Sequence, residues 1–427
     1  MITVRDPVER ALLVAAPRKG SADAQQLQEH LDELAELVDT AGATVVGRLF
    51  QHVASPNPAT LIGEGKVEEL GAALAAESAS LVIFDEELTP VQGANLEREL
   101  KVRVMDRAEL ILDIFSTRAR SHEAKLQVEL AQLEYMLPRL ARMWTHLSRI
   151  RGGIGLRGPG ETQLETDRRM IRKKIQHLKG KLVDVAQHRE VVRSGRQTML
   201  TAALVGYTNA GKSSILRALT GQHDIFVEDR LFATLDTLTR EVDLEQGVRV
   251  RMTDTVGFIR KLPHHLVASF RATLEEATDA DLLLHVVDAA HPDWEEHISV
   301  VQSVLADLGL AERPQFLVFN KIDAVADPLA FATRARELYP ESVVATVMRT
   351  DGLQSLKTVL AERAAALRPT IQVEVPVADG ARLAALYRAG EVVAREDRGD
   401  TVVLTIRTEP WRVEQIRNPG DDGRRTA

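Results

Sequence analysis

The sequence contains no cysteine, which excludes disulfides, thiolate metal sites and thiol nucleophiles. Aromatic residues are also scarce, at 4% of the chain, although the hydrophobic fraction of 44% is typical of a globular protein with a packed core. No apolar run reaches the roughly 18 residues that a membrane-spanning helix needs. The N-terminal residues lack the charged and then apolar order of a signal peptide, so we expect a cytoplasmic protein without a membrane span.

A surplus of positive charge is missing too, because the net charge of the whole chain is −8. Nucleic-acid binding would therefore depend on a local basic region. The length of 427 residues predicts about three domains. The order of strand and helix patterns indicates four units: an N-terminal α/β domain over residues 1–115, a helical hairpin arm over 116–198, a nucleotide-binding domain over 199–368, and a small α+β unit with a disordered tail over 369–427.

The first and last units show different strand patterns. In the first, "ALLVAA", "ATVVGRLF", "SLVIFD" and "KVRVMD" have the pattern of strands with helical segments among them, which predicts a mostly parallel sheet covered by helices. One of these helices should end at Gly42. In the last unit, "IQVEVPV", "GARLAALYRAG" and "EVVAREDRGDTVVLTIRT" predict one strand, one helix and a hairpin.

Two apolar seams indicate the helices of the arm. The first seam alternates spacings of four and three over Leu126, Leu130, Leu133, Leu137, Leu140, Trp144 and Leu147. Pro138 lies within it and should kink the helix. The second seam comprises Leu164, Ile171, Ile175, Leu178, Leu182 and Val185. Thr162 and Glu165 form a T-x-x-E capping box that places the start of the second helix, so we expect an antiparallel hairpin with a Gly- and Arg-rich tip over 151–160.

The local basic region lies at this tip and its flanks. Residues 138–174 include ten Arg and Lys against three acidic residues, a net charge of +7 in a chain of net charge −8. Glycine lets a backbone approach RNA closely, and arginine binds phosphates or stacks on bases. The residues predicted to contact RNA are Arg149, Arg151, Arg157, Arg168 and Arg169. The alternative is a solvated charged helix face.

The segment "ALVGYTNAGKSS" fits the phosphate-loop pattern G-x-x-x-x-G-K-[ST], with an apolar strand before it and a helix after it. In such loops backbone amides surround phosphate oxygens, the lysine contacts the β- and γ-phosphates, and the hydroxyl can bind Mg²⁺. Here these roles fall to Lys212 and Ser213. The predicted nucleotide-binding residues are Gly206, Tyr207, Thr208, Asn209, Ala210, Gly211, Lys212, Ser213 and Ser214.

Two further motifs point to GTP. In "DTVGF", Asp254 can hold Mg²⁺ through water and the Gly257 amide can reach a γ-phosphate, so Asp254, Thr255, Val256 and Gly257 are predicted to bind the nucleotide. In "NKID", the Asp323 carboxylate can accept hydrogen bonds from guanine N1–H and N2–H₂, which adenine lacks. The predicted base-binding residues are Asn320, Lys321, Ile322 and Asp323. The order and spacing of the three motifs predict a GTPase.

These motifs, together with "LFATLD", "GEGKVEEL" and above all "GGIGLRGPGETQLETDRR", make the chain resemble the HflX family of translation-associated GTPases over roughly residues 10 to 368. The resemblance implies an α/β P-loop GTPase fold and a GTP-hydrolysing factor. It further implies that this factor binds rRNA of the large ribosomal subunit and splits stalled or idle ribosomes, often under stress. We expect a monomer.

The resemblance also implies roles for individual residues. Thr234 would be the switch threonine that binds Mg²⁺ beside Ser213, within a nucleotide-binding segment of Phe232, Ala233, Thr234, Leu235 and Asp236. "LDTLTR" departs from the family's more usual Asp-Pro-Thr. The last base-contacting loop reads "ATVMRT" in place of Ser-Ala, and its contacts are assigned to backbone atoms of Thr346, Val347 and Met348.

A water-orienting glutamine, common after the D-x-x-G glycine, is replaced by Phe258. Intrinsic hydrolysis should therefore be slower by two or more decades, about 3 kcal/mol. Asn209 resembles the asparagine of GTPases that use K⁺ as a bridging charge, although it could merely shape the loop; the ribosome is the other candidate stimulator. The predicted catalytic residues are Asn209, Lys212, Thr234 and Gly257.

Three other functions compete with this interpretation. The chain could be a GTPase switch with a protein partner, an ATP-driven RNA remodeller, or a purely structural ribosomal protein, although the nucleotide motifs argue against the last. "GEGK" over residues 63–66 could indicate a second nucleotide site, but a plain turn before a helix explains it more simply.

Overall fold

The computed structural model describes residues 8–140, 159–193, 199–222, 228, 230–244, 248–262, 278–367, 370–408, 413 and 416. The strands in these ranges form three sheets of four, six and three strands. Within them, every helix is too short or too polar to cross a membrane.

The N-terminal sheet has the order β2-β1-β3-β4 and is parallel throughout. Its strands are β1 (Arg10–Ala15), β2 (Thr44–Phe50), β3 (Leu81–Phe84) and β4 (Arg103–Asp106). The helices of this unit are α1 (Ala22–Gln25), α2 (Leu27–Ala41), α3 (Glu64–Glu77), α4 (Pro90–Leu100) and α5 (Arg107–Arg118). As predicted, α2 ends at Gly42, whose φ of 89° favours glycine.

The arm contains α6 (His122–Met136) and α7 (Pro159–Arg193). Leu126 and Leu130 pack against Ile175 and Leu178, so the two predicted seams meet. At the predicted kink, α6 gives way to a 3₁₀ turn over Leu137–Arg139.

The predicted start of the second helix is wrong. The helix begins at Pro159, so Thr162 lies within it. Proline suits a first helical position because its φ is already helical and its missing N–H needs no partner there.

The second sheet has the order β10-β9-β8-β5-β7-β6, in which β6 alone runs antiparallel to its neighbour. Its strands are β5 (Leu200–Gly206), β6 (Leu238–Leu244), β7 (Val248–Asp254), β8 (Leu282–Asp288), β9 (Gln315–Asn320) and β10 (Val343–Val344). The described helices of this unit are α8 (Lys212–Thr220), α9 (Trp294–Asp307), α10 (Pro328–Leu338) and α11 (Gln354–Leu367). The predicted α/β class with a parallel-rich nucleotide-binding sheet is confirmed.

The C-terminal unit is an antiparallel sheet of order β11-β13-β12 with one helix. Its elements are β11 (Thr370–Pro376), α12 (Gly380–Ala389), β12 (Glu391–Arg398) and β13 (Thr401–Arg407). Alternate residues of β11 are buried, and they pack with Leu386 of α12.

One hydrophobic cluster joins the first two sheets. It combines β1, β3 and α5 with one face of β5 and β8, and it includes Phe115, Phe232 and Phe258, each almost fully buried. The segment around Phe232 and the residue after Gly257 are therefore part of a core shared by the N-terminal unit and the nucleotide-binding unit.

Candidate functional site

The phosphate loop connects β5 to α8, and two of its glycines are sterically required. Gly206 has a φ of 150°, and a side chain there would collide with the carbonyl of Val286. Gly211 has a φ of 92°, and a side chain there would meet the amide of Asn320. The loop can thus approach a ligand with its backbone.

Lys212 is buried at the centre of this loop. Its Nζ donates to the carbonyls of Gly206 at 3.0 Å and Tyr207 at 2.8 Å. Burial lowers the pKa of the Lys212 ammonium to about 8. A buried cation held mainly by neutral carbonyls is suited to an anionic ligand.

The three residues predicted to bind Mg²⁺ meet beside the loop. The Ser213 hydroxyl lies 2.8 Å from the Thr234 hydroxyl and donates to Asp254 Oδ2 at 2.5 Å. Asp254 is fully buried, and its Oδ1 has no hydrogen-bond partner among the described residues. Burial raises the pKa of this carboxyl. Two hydroxyls and a carboxylate with an unused oxygen fit a hard divalent cation such as Mg²⁺.

The D-x-x-G segment closes the same cleft. A Cβ at Gly257 would lie 2.8 Å from Thr208 Cα and 3.1 Å from Lys212 Nζ, so Gly257 sits directly against the loop. Phe258 exchanges backbone hydrogen bonds with the loop: its carbonyl accepts from Thr208 N at 2.7 Å and its N–H donates to the Gly206 carbonyl at 3.1 Å. Its ring is buried in the shared core, away from solvent.

At the base-binding end, Asn320 makes a contact that the sequence did not predict. Its Nδ2 donates to the Ala210 carbonyl at 2.9 Å and so ties β9 to the phosphate loop, while its buried Oδ1 has no partner within the described residues. Lys321 Nζ pairs with Asp288 Oδ2 at 2.7 Å. Ile322 is buried beneath the motif.

Thr346 contacts the predicted guanine reader directly. Its buried hydroxyl donates to Asp323 and accepts from Met348 N at 3.1 Å. Met348 itself is exposed, and Val347 packs partly against the core. The sequence assigned this loop to backbone contacts, whereas here a side chain also orients the Asp323 carboxylate.

Several residues predicted to bind the nucleotide have side chains directed to protein. Phe232 packs edge-on against Phe115, Leu235 is buried, and the Thr255 hydroxyl donates to the Leu204 carbonyl at 2.7 Å. Tyr207 and Val256 are buried in the shared core, and Asp236 accepts hydrogen bonds from the start of α6. Phe232 also lines the cleft beside Thr234, whereas the other five residues do not.

Two residues that the sequence motifs missed do line it. Glu228 and Arg230 line the cleft together with the phosphate loop, Phe232, Ala233, Thr234 and Gly257. Glu228 pairs with Arg118 at 2.7 Å, and Arg230 lies 3.8 Å from Asp39. The sequence feature that could have identified Glu228 and Arg230 as cleft residues is their position just before "LFATLD".

The residues after Phe258 reach into the N-terminal unit. Lys261 Nζ lies 2.5 Å from Asp85 and 3.8 Å from Glu86, both just after β3. Burial of Asp85 opposes its ionisation, but the charges of Arg107 and Lys261 hold its pKa below the ordinary value. Burial raises the pKa of Glu86 to about 7.

A second set of contacts joins the phosphate loop to the same unit. The Tyr207 hydroxyl donates to Glu33 of α2 and accepts from Arg260 N at 2.9 Å. Glu33 also pairs with the buried Arg107, which donates to Asp85 at 2.7 Å. The ring of Tyr207 stacks on His297 with a centroid distance of 3.7 Å.

Of the predicted RNA contacts, Arg149, Arg151 and Arg157 lie outside the described residues. Arg168 and Arg169 lie on α7, where Arg169 is exposed together with Arg172 and Lys173. Lys174 and Lys179 of the same helix pair with Glu129 and Glu134 of α6. The "GEGK" segment begins α3, and its Lys66 pairs with Glu69 at 2.8 Å, which favours the plain helix start.

Comparisons with known proteins agree with this geometry. Residues 28–116 match the family described as GTP-binding GTPase N-terminal, 118–196 the GTP-binding GTPase Middle Region, and 201–321 the 50S ribosome-binding GTPase. The GTPase HflX of Escherichia coli (strain K12) is 43% identical over 409 residues, 94% of either chain. The chain belongs to the HflX family of GTPases. It is accordingly a GTP hydrolase, as the motifs predicted.

Other members and solved structures resemble this HflX-family chain. The GTPase HflX of Magnetococcus marinus is 42% identical over 415 residues, covering 96% of this chain and 95% of that protein. A GTP-binding protein of Sulfolobus solfataricus, solved in complex with GDP, is 25% identical with a TM-score of 0.44, over 83% of this chain and 99% of that one.

Proposed function

We propose that this HflX-family GTPase binds the large ribosomal subunit in its GTP form and dissociates stalled or idle ribosomes, particularly under stress. The observation that carries the proposal is the meeting of Lys212, Ser213, Thr234 and Asp254 in one cleft, on residues that match a family described as 50S ribosome-binding. The proposal includes a monomeric protein that acts in the cytoplasm.

Hydrolysis in this cleft is attack by water on the γ-phosphorus. The bond from that phosphorus to the β–γ bridging oxygen breaks, and GDP and inorganic phosphate leave. The Lys212 ammonium, now bound to two loop carbonyls, would donate to phosphate oxygens, whose negative charge favours the protonated amine. The amide of Gly257, which lies beside Lys212, would contact the γ-phosphate.

The Ser213 and Thr234 hydroxyls and the Asp254 carboxylate would hold Mg²⁺, which when bound supplies positive charge against the β- and γ-phosphates. The buried Asp254 would gain a cationic partner in this arrangement, which offsets the cost of its burial. Thr234 would release its contact with Ser213 when the γ-phosphate leaves, and the surrounding segment would relax.

The buried ring of Phe258 leaves the water-orienting role to another group. One candidate is K⁺ held by Asn209, which lines the cleft, and the other is the ribosome. Turnover measured in K⁺ and in Na⁺ at matched ionic strength tests the first: equal rates remove it. A many-fold rise in turnover on adding large subunits supports the second.

Ribosome binding would depend on the basic surface of α7 and on Arg149, Arg151 and Arg157. Arg169, Arg172 and Lys173 present positive charge to solvent in a chain of net charge −8. Contacts between such side chains and rRNA phosphates release counterions, so binding should weaken steeply as salt rises.

Sedimentation of ribosomes with the protein tests the proposal, in the presence of a non-hydrolysable GTP analogue, GDP or ATP. We expect co-sedimentation with large subunits, and loss of 70S particles, with the GTP analogue alone. The double reversal Arg168→Glu with Arg169→Glu should weaken binding at least tenfold, at about 1.4 kcal/mol or more, without changing GTP affinity. Arg313→Glu with Arg336→Glu, on exposed positions of the nucleotide-binding unit, is the matched control.

The same experiment separates the rival functions. Binding that survives high salt and RNase treatment would favour a protein partner, and equal stimulation by ATP would favour an RNA remodeller. Failure of the GTP analogue to support any dissociation would contradict the proposed order, in which binding splits the ribosome and hydrolysis resets the factor.

A further inference from the structure

The segment that carries Thr234 is attached to the junction between the N-terminal unit and the arm. We call residues 230–236 the switch segment. Phe232 packs edge-on against Phe115 of α5 with a centroid distance of 4.7 Å, and Leu231 and Leu235 are buried in the same core. The segment is thus anchored on apolar contacts to a helix that leads directly into the arm.

Asp236 makes the polar half of this attachment. Its carboxylate accepts hydrogen bonds from the backbone N–H groups of Arg120 at 2.8 Å and Ser121 at 3.1 Å. These are the two residues before α6, and the Ser121 hydroxyl caps that helix by accepting from Ala124 N at 3.0 Å. A carboxylate at this place is favoured by the helix dipole and by charge-assisted hydrogen bonds.

Thr234 lies midway between the two attachments. It lies two positions from Phe232 and two from Asp236, with one residue between on each side, a distance of at most about 7 Å of extended chain. Its hydroxyl lies 2.8 Å from that of Ser213 in the phosphate loop. A displacement of Thr234 must therefore strain or break the contacts of Asp236 with the start of α6.

We propose that Asp236 is a positioning residue that couples the nucleotide bound beside Thr234 to the first turn of α6, and through it to the arm. With a γ-phosphate contact, Thr234 keeps Asp236 on the two backbone amides. Without it, the carboxylate leaves and the first turn of α6 loosens. The inference rests on the proposed function, since it supplies the route from the GTP cleft to the ribosome-binding arm.

Coupling of this kind is reciprocal. If the GTP form orders the start of α6, then a ribosome that holds the arm in the ordered form must favour GTP over GDP by the same factor.

The Glu228–Arg118 pair lies on the same junction, because Arg118 ends α5 and Glu228 precedes the switch segment.

Hydrogen exchange of the full chain tests the proposal directly. Amides of residues 118–126 are compared with GDP and with a non-hydrolysable GTP analogue, both with Mg²⁺, in the absence of ribosomes. In the wild type we expect exchange about tenfold slower with the analogue. Asp236→Asn, which loses the charge but keeps one acceptor oxygen, should reduce this difference to less than about threefold, and Asp236→Ala should abolish it.

Asp243→Asn is the matched control, because Asp243 is an exposed acidic residue of β6 that pairs with Arg249. It should retain the wild-type difference. Affinity for the analogue relative to GDP should fall about tenfold in Asp236→Ala, with unchanged affinity for GDP. A residue needed only for folding would lower both affinities together.

Each outcome decides a separate question. Equal exchange of the first turn of α6 in both nucleotide states of the wild type overturns the inference, as does a retained difference in Asp236→Ala. If Asp236→Ala does not fold, the retained or lost difference in Asp236→Asn decides. Failure of the wild type to bind large subunits with the GTP analogue, with the exchange difference intact, would overturn the proposed function and leave this coupling standing.

Discussion

The two parallel sheets of this chain share an architecture but differ in the chemistry at the carboxyl ends of their strands. In the nucleotide-binding unit, β5 leads into a glycine loop around the buried Lys212. In the N-terminal unit, β3 and β4 end at carboxylates, Asp85 and Glu86 after one and Asp106 at the end of the other. The edge of a parallel sheet is a general place for ligands, so the residues that follow the strands decide which ligand binds.

At the carboxylate edge, Asp85 and Asp106 have partners within the chain. Asp85 forms ion pairs with Arg107 and Lys261. Asp106 forms an ion pair with Arg139 at 3.3 Å and accepts a hydrogen bond from the Tyr135 hydroxyl at 2.9 Å. Lys212 has no such charge partner in direct contact among the described residues; it is bound to carbonyls. One edge is suited to an external anion, and the other is a joint between two units.

The largest effect should come from breaking the joint with Arg107→Ala. It leaves Asp85 and Glu33 as buried carboxylates that have lost a partner, and should lower the free energy of unfolding by about 3–5 kcal/mol. Thermal or denaturant unfolding measures it. Arg103→Ala, which removes a half-exposed arginine paired with Glu109 and Asp113, should cost less than about 1 kcal/mol. Equal losses in both variants would contradict the distinction between the two sites.

Lys212→Ala should impair nucleotide binding at the edge of the second sheet without destabilising the fold. Loss of the buried cation should weaken GTP binding by about 3 kcal/mol, more than 100-fold. Stability without nucleotide should be unchanged or higher near neutral pH, because the depressed pKa of about 8 means that burial of the charged amine costs free energy. Titration with a fluorescent GTP analogue and thermal unfolding check both parts, with Lys357→Ala as the control. A strong loss of stability would refute this interpretation of Lys212.

Glu86→Gln should reveal a pH dependence of the joint. Burial raises the pKa of Glu86 in the fold to about 7, above the ordinary value of a glutamate, so the stability tied to its protonated form is present at low pH and is lost as pH rises through 7. Residue 86 lies beside Lys261 and Asp85. The free energy of unfolding of the glutamine variant should match that of the wild type near pH 5 and exceed it by about 2 kcal/mol at pH 8. Unfolding at both pH values measures the difference; a gap that is constant with pH would contradict the assignment.

The smallest effect should come from Thr346→Val, which removes the hydroxyl that orients Asp323. Affinity for GDP should fall about fivefold, or about 1 kcal/mol, with little change in stability. Competition binding between GDP and ADP measures the loss of selectivity. Thr358→Val, whose hydroxyl bonds the Gln354 carbonyl of α11, is the control. An unchanged GDP affinity would mean that this loop contributes to base binding through its backbone atoms alone.

Local patterns carried most of the sequence-based predictions. The strands of both sheets follow from short apolar runs, and the phosphate loop follows from glycines whose φ angles and lack of space admit no side chain at Gly206 and Gly211. The meeting of Ser213, Thr234 and Asp254 followed from motif order and from the family resemblance. In each case the signal lies within a few residues or within a known spacing.

Contacts between distant segments could not be predicted in the same way. Glu33 and Tyr207 are 174 residues apart, and Asp236 meets residues 115 and 116 positions earlier. Neither pair leaves a periodic signal, because each depends on how two units pack. The start of α7 at Pro159 was missed because a T-x-x-E sequence inside a helix looks the same as a capping box at the start of one.

The aromatic packing around Trp294 gives the protein a built-in optical probe. Its ring lies edge-on to Phe319 at 5.4 Å, and Phe319 directly precedes Asn320 of the base-binding motif. The chain has three tryptophans, so changing Trp144 and Trp411 to phenylalanine would leave one emitting residue beside the guanine end of the cleft. Nucleotide exchange could then be followed by intrinsic fluorescence in real time, with no dye attached to the ligand.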